Sequence, residues 1–416
     1  MAHAHVVDFI HHLRFEHLPE MVVAQARRCL LDLIGTAAGG HTTDAARIIR
    51  NHAARMFGSS AGARMMFDGR RVSLMGAALA GGVMIDSLDC HDGHVLVKGH
   101  VGVAVLPALL ALVDNGCTID EHEFVTALVL GYEIATRAGI ALHATSCDYH
   151  SSGAWNALAC AALGARLLKL DVNQTWQALG IAEYHGPRSQ IMRVVDYPTM
   201  VKDGSGWGAM AGLSAAYLAA DGFTGAPALT IEDEKVGDIW ADLGTRWCIM
   251  EQYFKAYPVC RWAQPAIEAA LTLQRQHHVS AENISCVEVY TFHEGTRLAT
   301  RFPMSTDEAQ YSLPFPVASA LVRGQVGAGE VTGDALHDTA ILQLSENTLL
   351  MEDAEYNAKF PAERWAHVSF VMNDGTRFTS QPAVARGNPE NPLSDIELIE
   401  KYHLLAEPVL GKERTQ

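Results

Sequence analysis

The sequence predicts a mainly α protein, with a large all-helical domain followed by a smaller α+β unit. Three observations carry this. From residue 18 to about 225, apolar residues recur at three- and four-residue spacing with few strand signals. After residue 260 alternating segments appear, among them "ISCVEVYTF" and "RWAHVSFVMNDGTRFTSQPAV". At 416 residues the chain also exceeds the usual size of one hydrophobic core.

In chain order, "LPEMVVAQARRCLLDLIGTAAGG" reads as a helix stopped by Gly-Gly. "DEHEFVTALVLGYEIATRAGIAL" opens with acids suited to the positive end of a helix. "SGAWNALACAALGARLLKL" and "SGWGAMAGLSAAYLAADGFTG" carry small residues on all sides, the composition of helices buried within a bundle. "QPAIEAALTLQRQHH" reads as a helix, and "ISCVEVYTF" as a strand. "LPFPVASALVRGQV" and "GDALHDTAILQLSEN" read as helices. Two alternating strands then flank Asn373-Asp374-Gly375, a strong hairpin signal. "NPLSDIELIEKYHLL" returns to helix, with Ser394 and Glu397 spaced as a capping box.

Composition narrows the function. A formal charge of −16, with 47 acids against 31 bases, argues against nucleic acid, whose binding rests on neutralising phosphates. It leaves room for an anionic small molecule, because a cleft can be locally positive on an acidic protein. Eight cysteines are scattered without CxxC spacing, which predicts free thiols and a reducing, cytoplasmic setting. The N-terminus has early charges and no apolar signal-peptide region. The longest uncharged apolar run, "VGVAVLPALLALV", is 13 residues with a proline, too short to span a bilayer. A soluble protein without a membrane partner is expected.

The densest chemistry lies in "DCHDGHVLVKGHVG", residues 89–102, which places Asp89, His91, Asp92, His94 and His100 between two apolar runs. They could ligate a metal, form a solvated loop, or move protons on a bound substrate. His150 precedes a buried helix that starts at Ser151, Ser152 and Gly153, and such a start is a natural carboxylate site. The bland reading of His150, a residue that merely caps its own helix, weighs equally. Lys202 stands before a glycine-rich helix start and on its own reads as a surface residue. Lys255, Cys260 and Arg261 fall at the inferred domain boundary, where pockets tend to form. Cys260 reads as a pocket thiol rather than a nucleophile.

Taken in order, these segments resemble the MmgE/PrpD family. The resemblance runs from the acidic loop with H-x-G and "VLPALLAL", through a His-x-x-G helix start with "LGARLLKLD", to "KAYPVCRWAQPAIEAAL", "AQYSLPFPVASAL" and "DGTRFTSQ…RGNPENPLSD". It implies a helical domain of residues 1–258 and 390–416, an α+β lid of residues 259–389, and a homodimer. It implies work without metal or organic cofactor on a small di- or tricarboxylate, by proton abstraction beside a carboxylate. The leading expectation is a hydro-lyase like 2-methylcitrate dehydratase. Epimerisation of the iminodisuccinate type and decarboxylation of cis-aconitate stand as alternatives. A metal-dependent hydrolase built on Asp89, His91, Asp92 and His94 is the competing reading of another class.

Carried over by position, Asp89, His100, His150 and Lys202 are the implied catalytic residues. Lys255 is carried over as well, and with His94, Ser151, Cys260 and Arg261 it makes up the expected substrate contacts. The chain departs from the family where D-D-T is replaced by His91-Asp92-Gly93-His94, and where the His100-Val101-Gly102 turn lacks proline. It also departs at Gln264, Phe315 and Cys260, the last standing where cis-aconitate decarboxylases carry histidine. Decarboxylation is therefore the least expected of the three activities.

Overall fold

The computed structural model describes residues 2–416, with side-chain surroundings from residue 5 onward. Its helices start where the sequence offers a side-chain acceptor. Ser73 caps the Leu74–Leu88 helix by accepting from Gly76 N–H, and Asp120 caps Glu121–Thr145 by accepting from Glu123 N–H. These two pack with Gly102–Asp114, Gly153–Leu167 and Ser205–Ala220 around one core. The small residues have a direct role there. A Cβ on Gly206 would meet the Leu79 carbonyl at 2.5 Å, and one on Gly208 would meet the Gly153 carbonyl at 2.4 Å. The Ser205–Ala220 helix thus touches two neighbouring helices backbone to backbone, which larger side chains would prevent. Glu121–Thr145 is long and apolar enough to cross a bilayer, but most of it is buried in this core.

A second core gathers Val287, Val289, Phe292, Phe315 and Phe370 between a sheet and the helices Gln264–His277 and Pro314–Arg323. In the sheet, Ile284–Thr291 runs parallel to Thr348–Glu352 on one side and antiparallel to Trp365–Met372 on the other. Trp365–Met372 then pairs with Arg377–Thr379 through the expected turn, where Gly375 has φ +85°. Ile191, Val194 and Val195, although early in the chain, join this second core. The last long helix, Asp395–Leu410, carries the Ser394–Glu397 capping box and lies against Glu20–Gly40. Its Lys401 donates to Asp32 Oδ1 and to the Cys90 carbonyl, each at 2.6 Å.

The mainly α architecture with a smaller α+β unit agrees with the sequence reading, and the differences are local. The helical part also contains a hairpin, Gly58–Arg64 with Arg71–Val72. The helix expected over 333–347 is a short 3-10 turn, Gly333–His337, then Thr339–Glu346. Asp338 restarts the helix by accepting from Ala340 N–H at 3.0 Å. The parallel strand Thr348–Glu352 has no hairpin partner next to it in sequence, so no local signal announces it.

Candidate active site

The dense loop follows directly from the Leu74–Leu88 helix. That helix ends at Asp89, held in the left-handed region at φ +53°. Lys98 (φ +55°) and Lys202 (φ +44°) are held in the same way, so three of the six non-glycine residues with positive φ fall around one place. Such strain persists only where the surroundings over-determine it, and it clusters at functional sites. Here it lies around a cavity of about 40 Å³ between the two cores, room for a few waters, which Asp89 and Lys98 line.

Asp89 accepts from Lys255 Nζ at 2.6 Å, and the same ammonium donates to the Asp89 carbonyl at 3.0 Å. Burial would lower the Lys255 ammonium; the Asp89 charge and hydrogen bond, together with Tyr253 and Cys260, offset this and leave it above its ordinary value. His100 Nε2 lies 3.8 Å from Asp89 Oδ1. On the other side of the ring, Nδ1 lies 2.5 Å from the Asp92 carbonyl, a geometry that assigns the proton to Nδ1. Burial, and then the Lys255 charge, lower His100 below its ordinary value, so its Nε2 is a free lone pair at neutral pH. His91 packs against His100 with ring centroids 4.1 Å apart and planes inclined by 46°, and is fully buried.

Of the residues expected from sequence, Asp89, His100, Lys255, Cys260 and Arg261 line this cavity. Arg261 has its donors engaged by Gln264 Oε1 at 2.9 Å, the Arg386 carbonyl at 2.8 Å and Asn388 Oδ1. Burial, and then the Asp89 charge, push the Cys260 thiol up to about 12, so it is neutral at physiological pH.

Four expected residues lie elsewhere. Lys202 is buried just behind the wall, paired with Asp307 at 3.2 Å and bonded to Gln310 Oε1. His94 turns to Glu251 at 3.2 Å, because Gly93–His94 pairs as a short strand with Gln252–Tyr253. His150 forms a bridge with Gln190 and accepts nothing from the cavity; its backbone N–H donates to His143 Nε2 at 3.0 Å. Ser151 uses its N–H on the Ser189 carbonyl at 2.7 Å. The carboxylate expected at this helix start is the chain's own. Asp203 Oδ1 accepts from Ser152 N–H at 3.1 Å and from Ser152 Oγ at 2.6 Å.

The metal quartet also separates. Asp92 accepts from the Tyr132 hydroxyl, His94 faces Glu251, Asp89 faces Lys255, and His91 lies 3.8 Å from Asp86. Among the described residues no three histidine, cysteine or acidic side chains converge as a ligand set.

Lys98, Asp203, Tyr253, Tyr311 and Arg364 line the cavity without having been singled out. Lys98 sits within the dense loop and Asp203 beside Lys202, so both were adjacent to a visible signal. Arg364 and Tyr311 reach the cavity only through lid topology. Tyr253 replaces bulk at Gly93, where a Cβ would meet its hydroxyl at 2.4 Å.

Comparison with known proteins fits this arrangement. The MmgE/PrpD N-terminal domain matches residues 4–242 and the MmgE/PrpD C-terminal domain matches residues 257–416. A cis-aconitate decarboxylase-like protein of Aspergillus oryzae is 26% identical, covering 99% of this chain and 92% of its own. The cis-aconitate decarboxylase of Homo sapiens is 24% identical, over 97% of this chain and 87% of its own. That of Aspergillus terreus is 22% identical, over 99% and 91%. Matched along both of its halves, the chain belongs to the MmgE/PrpD family, and these relatives bear the name of a carboxylate lyase.

Proposed function

We propose that this protein is a cofactor-independent lyase that removes water from a small di- or tricarboxylate, starting with a proton beside a carboxylate. One observation carries the reading. In a chain of net charge −16, the cavity is lined by four cations, Lys98, Lys255, Arg261 and Arg364, against two carboxylates, Asp89 and Asp203. A wall of that sign suits an anion with more than one charge.

In this reading His100 Nε2 takes the proton as the C–H bond breaks. The imidazolium that forms is stabilised by Asp89. Charge that builds up on the substrate carboxylate meets the Lys255 ammonium. The C–O bond then breaks with its electron pair leaving on oxygen, and a phenol returns a proton to complete water. Tyr253 and Tyr311 are suited to that step, since burial raises both and keeps them protonated donors.

A second reading, decarboxylation, is favoured by the names of the relatives. It would use the same cations to hold the substrate, with the proton delivered to carbon after carbon dioxide leaves.

Proton NMR in D₂O with 2-methylcitrate, citrate, cis-aconitate and iminodisuccinate separates the outcomes. The expected result is loss or gain of water on a hydroxy-tricarboxylate with deuterium at the carbon beside a carboxylate. Conversion of cis-aconitate with release of carbon dioxide would establish the second reading instead. Exchange and inversion without elimination would indicate an epimerase. No exchange on any of the four would remove the proposal.

A further inference from the structure

Buried cations in this protein are, as a rule, neutralised. Lys255 pairs with Asp89 at 2.6 Å, Lys202 with Asp307 at 3.2 Å, and Lys401 with Asp32 at 2.6 Å. Arg261 instead gives its protons to neutral acceptors at 264 and 385–388. Two cations on the cavity wall have no carboxylate beside them and are left short of acceptors. Arg364, at 8% exposure, donates from Nη2 to the Val95 carbonyl at 3.0 Å, while its buried Nε meets no acceptor. Lys98 Nζ rests 4.7 Å from the Tyr149 ring centroid. Among the described residues neither is within ion-pair distance of a carboxylate. Glu294 acts on Lys98 only from farther away.

Keeping two like charges together in a poorly hydrated wall is unfavourable unless an anion joins them. Burial, and then the charge of Arg364, bring Lys98 down to about 8, which agrees with a site waiting for a counter-ion. We propose that Lys98 and Arg364 form a second carboxylate subsite, for the substrate carboxylate remote from the carbon that loses its proton. Lys98 belongs to the loop of the helical core, and Arg364 directly precedes the strand Trp365–Met372 of the other. A carboxylate held between them bridges the two cores. The inference takes only the substrate class from the proposed function.

The test is calorimetric binding of succinate and of its monoamide, succinamate, to wild type, Arg364→Gln and Lys98→Met. Wild type is expected to prefer succinate by at least about tenfold, the worth of one charge-assisted contact. In either variant, succinate is expected to weaken about 10–100-fold and the preference to fall toward one. Arg364→Lys, which keeps the charge but not the fork, is expected to lose less. Arg364→Gln removes a buried charge without a counter-ion, so its melting temperature is expected to hold or rise. Unchanged selectivity in both variants overturns the subsite and leaves the carboxylate substrate class standing. Wild type that binds neither ligand, nor tricarballylate, overturns both.

Discussion

The loop at 89–102 and the helix start at 150–153 are both rich in polar residues, yet only the first delivers side chains to the cavity. The loop brings Asp89, Lys98 and His100 to one wall. The helix start brings none, because Asp203 occupies the N–H and hydroxyl of Ser152. Ser152 Oγ in turn accepts from the His100 N–H at 2.9 Å, so this helix end supports the loop. The difference teaches that a positive helix end takes the nearest carboxylate. When the chain supplies one within reach, the ligand goes elsewhere.

The sharpest way to break this comparison is to substitute both histidines. His100→Ala is expected to cost about 10²–10⁴-fold in turnover, whereas His150→Ala should stay within about tenfold. Equal losses would mean that the helix start moves into the site on binding. The pH profile sharpens the same point. Burial and Lys255 both hold His100 down, so the acid limb of kcat/KM should lie below 6.5. Lys255→Met removes one of those causes and leaves Asp89 unpaired, so the limb should move to higher pH.

A smaller effect is expected at the support. Asp203→Asn weakens the charge-assisted bonds to Ser152 and should lower stability by about 1–3 kcal/mol in urea unfolding. No loss of stability would show that Asp203 is not what fills the helix end in solution. The smallest effect is expected at Cys260. With its thiol pushed up to about 12, Cys260→Ala should change turnover by less than about tenfold, and iodoacetamide should label the native thiol slowly at pH 8. Rapid labelling would place a thiolate in the cavity.

Much of the fold was legible because its signals are local. Helix periodicity, the Ser394–Glu397 box and the Asn373–Gly375 turn each concern residues a few positions apart. The Thr348–Glu352 strand was not, since its partner is some sixty residues away and no turn connects them. The site divides in the same way. Asp89, His100 and Lys255 stand out by residue type and neighbours. Arg364 does not, because nothing around it in "AERWAHV" indicates that its guanidinium reaches Val95.

By itself, then, the sequence determined the helical bundle with its smaller α+β partner, the concentration of titratable groups at 89–102, and the family. Helix periodicity, small-residue packing and turn chemistry are properties of adjacent residues. Which titratable groups face the cavity was decided by tertiary structure alone. His94 paired with Glu251, the helix start closed on Asp203, and Lys98 was left beside Arg364 without a counter-ion. The reason is physical: a charge is neutralised by whatever lies within a few ångströms, and the chain brings those neighbours from about fifty to well over a hundred residues away.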